Sequence, residues 1–429
     1  MINNELELVA LIGNADTAQI AHDLFALFEP KLKSWYFIRA SDKGPSPGLS
    51  VNRTFGHGAA VKTLFASEKV IVLDSQTFAD MSRGQATFPI DYSISLDTQA
   101  LSYLEPYLLG NTAKLPKDFS EVFAFISQPN VNVDPMPYML ENMQNVTDEK
   151  KALRIYKKLY AYEVFRTIDI SNFDATGEIR STEPSNVITT RAEVLMKDMR
   201  RDAVNKKAVN VIRYRFRLIH IILLKIACIQ LSSGASVIEK LHELLTFMDQ
   251  RICTIFAREA LLARAYFERG QKLTFFGKIH KKGEGSAGIG AAEDLLNTLR
   301  GMAWDLLHIR HLEEAFTTRP EKSARYYFPS FLTFDKRLSE IIDLCPLRCI
   351  AYKRGSARPM PFFTKDWVRE MSGDPAADAE IVRRFYSTSA VASRDRRRSR
   401  ADGLFATLEA ELESELLLVA GIGAGTRSS

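Results

Sequence analysis

The sequence predicts an α/β protein in which helix predominates. Two patterns carry that expectation. Short apolar runs end in an acidic residue and lead directly into helix-like segments. Tyr92-Ser93-Ile94-Ser95-Leu96-Asp97-Thr98 is one, and Phe331-Leu332-Thr333-Phe334-Asp335-Lys336 is another. The middle of the chain, from Thr147 to about Gly270, instead repeats apolar residues at three- and four-residue intervals and holds little proline or glycine, which is the period of helix.

From the amino end, Leu6–Ile12 is apolar, Asp16–Phe28 has helical spacing, and Trp35–Ile38 and Lys69–Leu73 read as strands. Residues 1–90 therefore look like a small α/β unit. Two prolines in Gly44–Gly48 mark a loop. Ser93–Leu96 is the next strand, with a helix over Gln99–Leu109 behind it, and Pro129–Pro137 is a loop. Glu149–Arg166 is amphipathic, Thr189–Leu231 runs without proline or glycine, and Ser236–Phe267 keeps the helical period. Phe275–Gly290, rich in glycine and lysine, has neither period and reads as a mobile loop. Ala291–Glu314 returns to helix, and Tyr326–Thr333 and Leu347–Tyr352 read as strands. Beyond Pro361 the pattern weakens. Residues 356–429 look like a loosely ordered tail holding one amphipathic helix, Leu404–Val419.

A chain of 429 residues is expected to hold more than one core. Its 46% hydrophobic and 25% charged residues place it with folded globular proteins rather than disordered ones. The longest apolar run, Leu218–Leu231, is interrupted by His220 and Lys225 and falls short of the ~18–20 residues of a membrane span. The start, Met1-Ile2-Asn3-Asn4-Glu5, lacks the basic opening of a secretory signal. A cytoplasmic protein with no membrane partner is expected. The cysteines, at 228, 253, 345 and 349, lack the paired spacing of a zinc site and read as reduced, buried thiols.

Three aspartates stand out. Asp97 and Asp335 follow apolar strands, where open α/β sheets bind ligands; both also suit helix caps. Asp305, flanked by Trp304, Leu306 and Leu307, is costly to bury unless it is paired or holds a metal. Converging, the three would suit a hard Mg²⁺ or Mn²⁺ ion with oxygen ligands.

The order of these acids resembles the PIN-domain nucleases. Asp97-Thr98 stands where that family has its first aspartate, Asp305 where it has an acid on a late helix, and Thr333-Phe334-Asp335 where it has an acid at the next strand end. The resemblance covers about 91–110 and 290–352. It implies a parallel sheet core over 91–110 and 250–355, interrupted by a helical insertion over 111–249. It also implies a nuclease that cuts RNA in preference to DNA, with a toxin, stress or antiviral defence role. Asp97 and Asp305 would be direct metal ligands, with Asp335 and a glutamate holding a second ion or orienting water. Glu259 is the first choice for that glutamate and Glu163 the second. Either also reads as an ordinary helix residue.

A rival pattern is Arg215-Phe216-Arg217-Leu218-Ile219-His220. It looks like the motif of the helical, metal-independent HEPN-type RNases, in which Arg215 would stabilise the transition state and His220 would move a proton. A histidine satisfied within an apolar helix explains the same residues. A non-enzymatic helical interaction protein is the third reading. Basic residues gather at Lys206, Lys207, Arg213, Arg215 and Arg217, at Lys278, Lys281 and Lys282, and over Arg394–Arg400. Such clusters attract phosphate backbones, which favours RNA as the partner, with a protein regulator or a second copy as further partners.

Overall fold

The computed structural model describes residues 5–44, 47, 49–84, 90–281, 292–318, 324–365 and 371–422. In chain order it opens with helices α1 (Glu5–Gly13) and α2 (Ala18–Phe28), then strands β1 (Trp35–Ala40), β2 (Arg53–Thr54), β3 (Ala60–Thr63) and β4 (Val70–Leu73). Helix α3 (Ser75–Ser82) precedes β5 (Ile90–Leu96), α4 (Thr98–Leu108), α5 (Phe119–Ile126), β6 (Val133–Asp134) and α6 (Met136–Asn142). A helical stretch follows: α7 (Glu149–Arg166), α8 (Ile170–Thr176), α9 (Ser185–Val204), α10 (Lys206–Ser232), α11 (Val237–Phe247), α12 (Ala257–Arg269) and α13 (Ala292–Ala315). The chain then forms β7 (Tyr326–Thr333), α14 (Lys336–Leu344), β8 (Leu347–Lys353), β9 (Met360–Phe363), α15 (Pro375–Ile381), α16 (Thr388–Ala401) and α17 (Phe405–Val419).

This is an α/β protein in which helix predominates. Residues fall into two compact units, Met1–Asn210 with His308–Phe362, and Val211–Leu307 with Phe363–Ser429. The helical stretch 111–249 is thus shared between them.

The first unit holds both sheets. One is ordered β4-β1-β8-β9, with β1 antiparallel to β4 and β8. Strand β1 reads Trp-Tyr-Phe-Ile and is buried on both faces. Leu8, Val9, Ile12 and Phe25 from α1 and α2 pack with Trp35, Phe37, Cys349 and Ala351. Strands β1 and β4 are therefore completed by a strand that arrives more than 250 residues later. The other sheet is ordered β2-β3-β7-β5-β6 and is mixed. Strand β5 runs parallel to β6 and β7, while β3 lies antiparallel to β7. The register Leu96↔Leu332 and Ile94↔Val133 brings the carboxyl ends of β5, β6 and β7 to one edge.

The run over 189–231 that lacks proline and glycine is divided into α9 and α10 at Asn205. Its side chain accepts from the backbone N–H groups of Lys207 and Ala208, both at 3.2 Å, so it caps the second helix and stops the first.

In the second unit residues 371–422 form helices with buried faces, where the sequence reads as a loosely ordered tail. Helix α17 buries Phe405, Leu408, Leu412 and Leu416 at helical spacing. Arg394 of α16 is buried and pairs with Asp249 at 3.0 Å, and Arg397 pairs with the same carboxylate at 2.6 Å. The basic run is thus partly an internal anchor. The expected mobile loop is also anchored at its start: Phe276 stacks on Tyr266 with ring centroids 4.0 Å apart. Residues 282–290 of that loop lie outside the described residues. Among the described residues no helix is long and apolar enough to cross a membrane. The four cysteines are buried and free.

Candidate active site at the carboxyl ends of three parallel strands

Parallel pairing determines where Asp97 stands. Its N–H donates to Leu332 O at 3.1 Å, continuing the β5–β7 ladder by one residue. The chain then turns into α4, and the Asp97 carboxylate accepts from Ala100 N as the N-cap. Thr333 and the Phe334 backbone, at the end of β7, also hydrogen-bond this carboxylate. Asp97 is 7% exposed. Burial pushes its carboxyl up to about 6; those hydrogen bonds and the neighbouring His308 oppose the rise without cancelling it.

The next residue links Asp97 to a second acid. Thr98 Oγ1 donates to Glu141 Oε2. Glu141 lies on α6, the helix entered from β6 through Pro135. His308 Nε2 stands 3.8 Å from Glu141 Oε2, too long for a hydrogen bond. Burial would raise the Glu141 carboxyl, but the His308 ring, the Thr98 hydroxyl and the Lys158 charge outweigh it and hold it below the usual range. Lys158 of α7 donates to Ser102 Oγ and lies 5.4 Å from the Tyr138 ring centroid. Burial lowers its ammonium pKa, against the pull of Glu105 and Glu141.

Of these groups, Thr98, Glu105, Tyr138, Glu141 and Lys158 line an open cleft of about 570 Å³. Thr98, Glu105, Tyr138 and Glu141 form one wall, and Lys151, Arg154, Lys157 and Lys158 form the other. Carboxylates of α4 and α6 therefore share this cleft with a row of cations from α7.

The remaining sequence-predicted residues lie as follows. Asp335 caps α14 through Arg337 N at 2.8 Å, and Arg337 Nε reaches both of its oxygens at 2.9 and 3.0 Å. Asp335 is two residues from the Thr333 that bonds Asp97, so the two strand-end motifs do meet. Asp305 is half-buried in the portion of α13 that belongs to the second unit. Glu259 is fully buried in α12 of the second unit. Glu163 is buried in α7 of the first, 3.1 Å from Arg166. Among the described residues no group of three or more His, Cys, Asp or Glu is arranged to hold a metal ion.

His220 is fully buried, its Nδ1 2.8 Å from Glu409 Oε1, and Arg217 Nε reaches Glu409 Oε2 at 2.8 Å. Arg215 is half-buried and Arg213 exposed. Lys206, Lys207, Lys278 and Lys281 are exposed, and Lys282 lies outside the described residues.

Sequence reasoning missed Glu141, His308 and the cations of α7. A signal existed for Glu141 and for the cations, though not for His308. Pro135-Met136-Pro137 is a helix-start pattern, so Glu141 follows on a helix rather than a loop. Lys150, Lys151, Arg154, Lys157 and Lys158 recur at helical spacing. The chain matches no protein-family model, no curated protein and no solved structure.

Proposed function

We propose that this cleft is the active site of a metal-dependent phosphodiesterase that cuts nucleic acid, RNA in preference to DNA. The observation that carries the reading is the Thr98 hydroxyl bonded to Glu141, beside the buried Asp97 at a parallel strand end, in a cleft that the cations of α7 also line. The expected PIN-like core is the parallel β6-β5-β7 portion of the mixed sheet in this reading.

In this reading Asp97 and Glu141 would supply the oxygen ligands of a hard divalent ion. Mg²⁺ keeps several waters and needs only one or two carboxylates beside substrate phosphates, so Asp97 and Glu141 suffice as protein oxygens without a third acid. Such an ion supplies Lewis acidity towards a phosphate oxygen and a more acidic water. The chain's own residues do the rest. Thr98 fixes the Glu141 rotamer, and His308 stands beside Glu141. Lys151, Arg154, Lys157 and Lys158 bind backbone phosphates on the opposite wall.

The HEPN-like alternative draws less support, because its His220 is fully buried and bonded to Glu409. The non-enzymatic reading draws on the capping bonds of Asp97 and Asp335. Capping accounts for Asp335, whereas Asp97 also takes bonds from Thr333 and the Phe334 backbone at the end of β7.

The test is cleavage of labelled RNA and DNA by the purified chain in Mn²⁺ or Mg²⁺ against EDTA. Wild type should cut only with metal. Asp97→Asn and Glu141→Gln should each lose on the order of a hundredfold or more. A wild type that cuts neither substrate, or an Asp97→Asn variant that cuts as fast, would overturn the reading.

A further inference from the structure

Helix α7 has a second cleft on its other flank. At 3.6 residues per turn, Lys151, Ile155 and Lys158 face the cleft already described, and Ala152 and Tyr156 face away from it. The second cleft, of about 740 Å³, lies against α9 and the turn at 143–147. Its floor is apolar: Val146, Ala152, Leu153 and Met196. Tyr156 is half-buried in it, with the Tyr160 ring 6.2 Å away. Leu153 is 58% exposed.

Charge surrounds this apolar floor. Lys197 and Arg200 of α9 stand on its rim. Lys150, Arg154 and Lys157 form the exposed crest of α7 between the two clefts. None of these five cations has an ion-pair partner among the described residues. By contrast, Arg217, Arg300, Arg394 and Arg397 in the second unit are paired with carboxylates.

We propose that the second cleft is a nucleobase-binding subsite for a single-stranded nucleic acid whose backbone crosses the crest of α7. The proposal rests on the phosphodiesterase reading of the first cleft for the direction of the strand, though its binding chemistry stands alone. An aromatic ring on an apolar floor stacks a base of any identity, and unpaired cations on both sides hold the flanking phosphates. Glu149 and Glu193 also line the cleft. They would repel a phosphate, but they accept hydrogen bonds from the amino group of a base. A base within a duplex cannot turn down into such a floor, so a paired strand is excluded.

The experiment measures equilibrium binding in EDTA, where the proposed cleavage is off. The probes are a fluorescein-labelled 12-nucleotide RNA and the blunt duplex of the same sequence. Wild type should bind the single strand more tightly. Tyr156→Ala should weaken single-strand binding by about tenfold and leave duplex binding unchanged. Tyr156→Phe, which keeps the ring and the packing, should match wild type. The exposed pair Lys197→Ala/Arg200→Ala should weaken binding and flatten its salt dependence. Equal binding of strand and duplex by wild type, or equal losses in Tyr156→Phe and Tyr156→Ala, overturns the subsite. Should wild type cut RNA in Mn²⁺ while Tyr156→Ala binds the strand normally, the subsite falls and the phosphodiesterase stands. Should wild type never cut yet bind through Tyr156, the reverse holds.

Discussion

Thr98 Oγ1 donates its hydrogen to Glu141 Oε2, and that contact ties the end of β5 to the helix behind β6. Asp97 and Glu141 come from separate strand-helix turns, and a single hydroxyl fixes one acid relative to the other. Thr98→Val removes the donor while keeping the shape. It should lower metal-dependent cleavage by about tenfold to a hundredfold, as loss of a group that orients a ligand does. Thr98→Ser should retain activity. Equal losses in both variants would mean that the methyl group, not the hydroxyl, matters.

The buried Asp97 makes stability depend on pH. Its carboxyl is raised from 3.8 to about 6 chiefly by burial. The folded chain therefore holds this proton more tightly than the unfolded chain does. The protonated carboxyl carries no penalty below about pH 4, and the penalty grows as pH rises to about 6 and stays beyond it. In metal-free buffer Asp97→Asn should thus be more stable than wild type at pH 8, by on the order of 1–3 kcal/mol. The difference should shrink towards pH 4. Thermal unfolding at both pH values measures it, and a difference of the same size at both would contradict the burial argument.

Much of the fold was legible in the sequence, because strand ends and helix starts leave local marks. Asp97, Asp335 and Ser236 are each N-caps that a reader of the chain can find. The helical period over Glu149–Arg166 matches α7 to the residue. What local pattern could not reveal was partnership over distance. Strand β1 pairs with β8, and nothing within either strand names the other. Asp249 binds Arg394 and Arg397 across some 145 residues, so a run that looked like solvated charge is an anchor. The site was half legible for the same reason. Asp97 sits at a marked strand end, whereas Glu141 and His308 gain meaning only once α6 and α13 are placed.

That anchor can be tested. Asp249 is mostly buried and carries both arginines. Asp249→Ala leaves Arg394 buried without its carboxylate, which should cost on the order of 3 kcal/mol. Chemical denaturation should report the loss. Limited proteolysis should cut first within 388–401, the span of α16. A variant with wild-type stability would mean that the apolar faces of α15 and α17 suffice.

The α7 wall predicts a salt signature. Lys158 reaches into the first cleft, between Ser102 and the Tyr138 ring. If it contacts a phosphate, Lys158→Met should weaken RNA binding at low salt and reduce the slope of log affinity against log salt by about one. Titration at several salt concentrations in EDTA measures this. An unchanged slope with weaker binding would assign Lys158 to shaping the cleft instead.

The last prediction separates the two nuclease readings through Glu409. Burial would raise its carboxyl, but bonds from His220 and Arg217 prevail and hold it below the usual range. Its contribution to stability is therefore present above about pH 4.5 and is lost as the pH falls below that. Glu409→Ala leaves the fully buried His220 and the half-buried Arg217 without their acceptor, at a cost of on the order of 1–3 kcal/mol. If His220 serves only this packing role, then His220→Asn and Arg215→Ala should leave cleavage per folded molecule at the wild-type rate, and EDTA should abolish it in all three proteins. Activity that survives EDTA in wild type and vanishes in His220→Asn would instead place the chemistry on α10. A stability loss in Glu409→Ala without any change in rate is the pattern that a buried structural histidine requires.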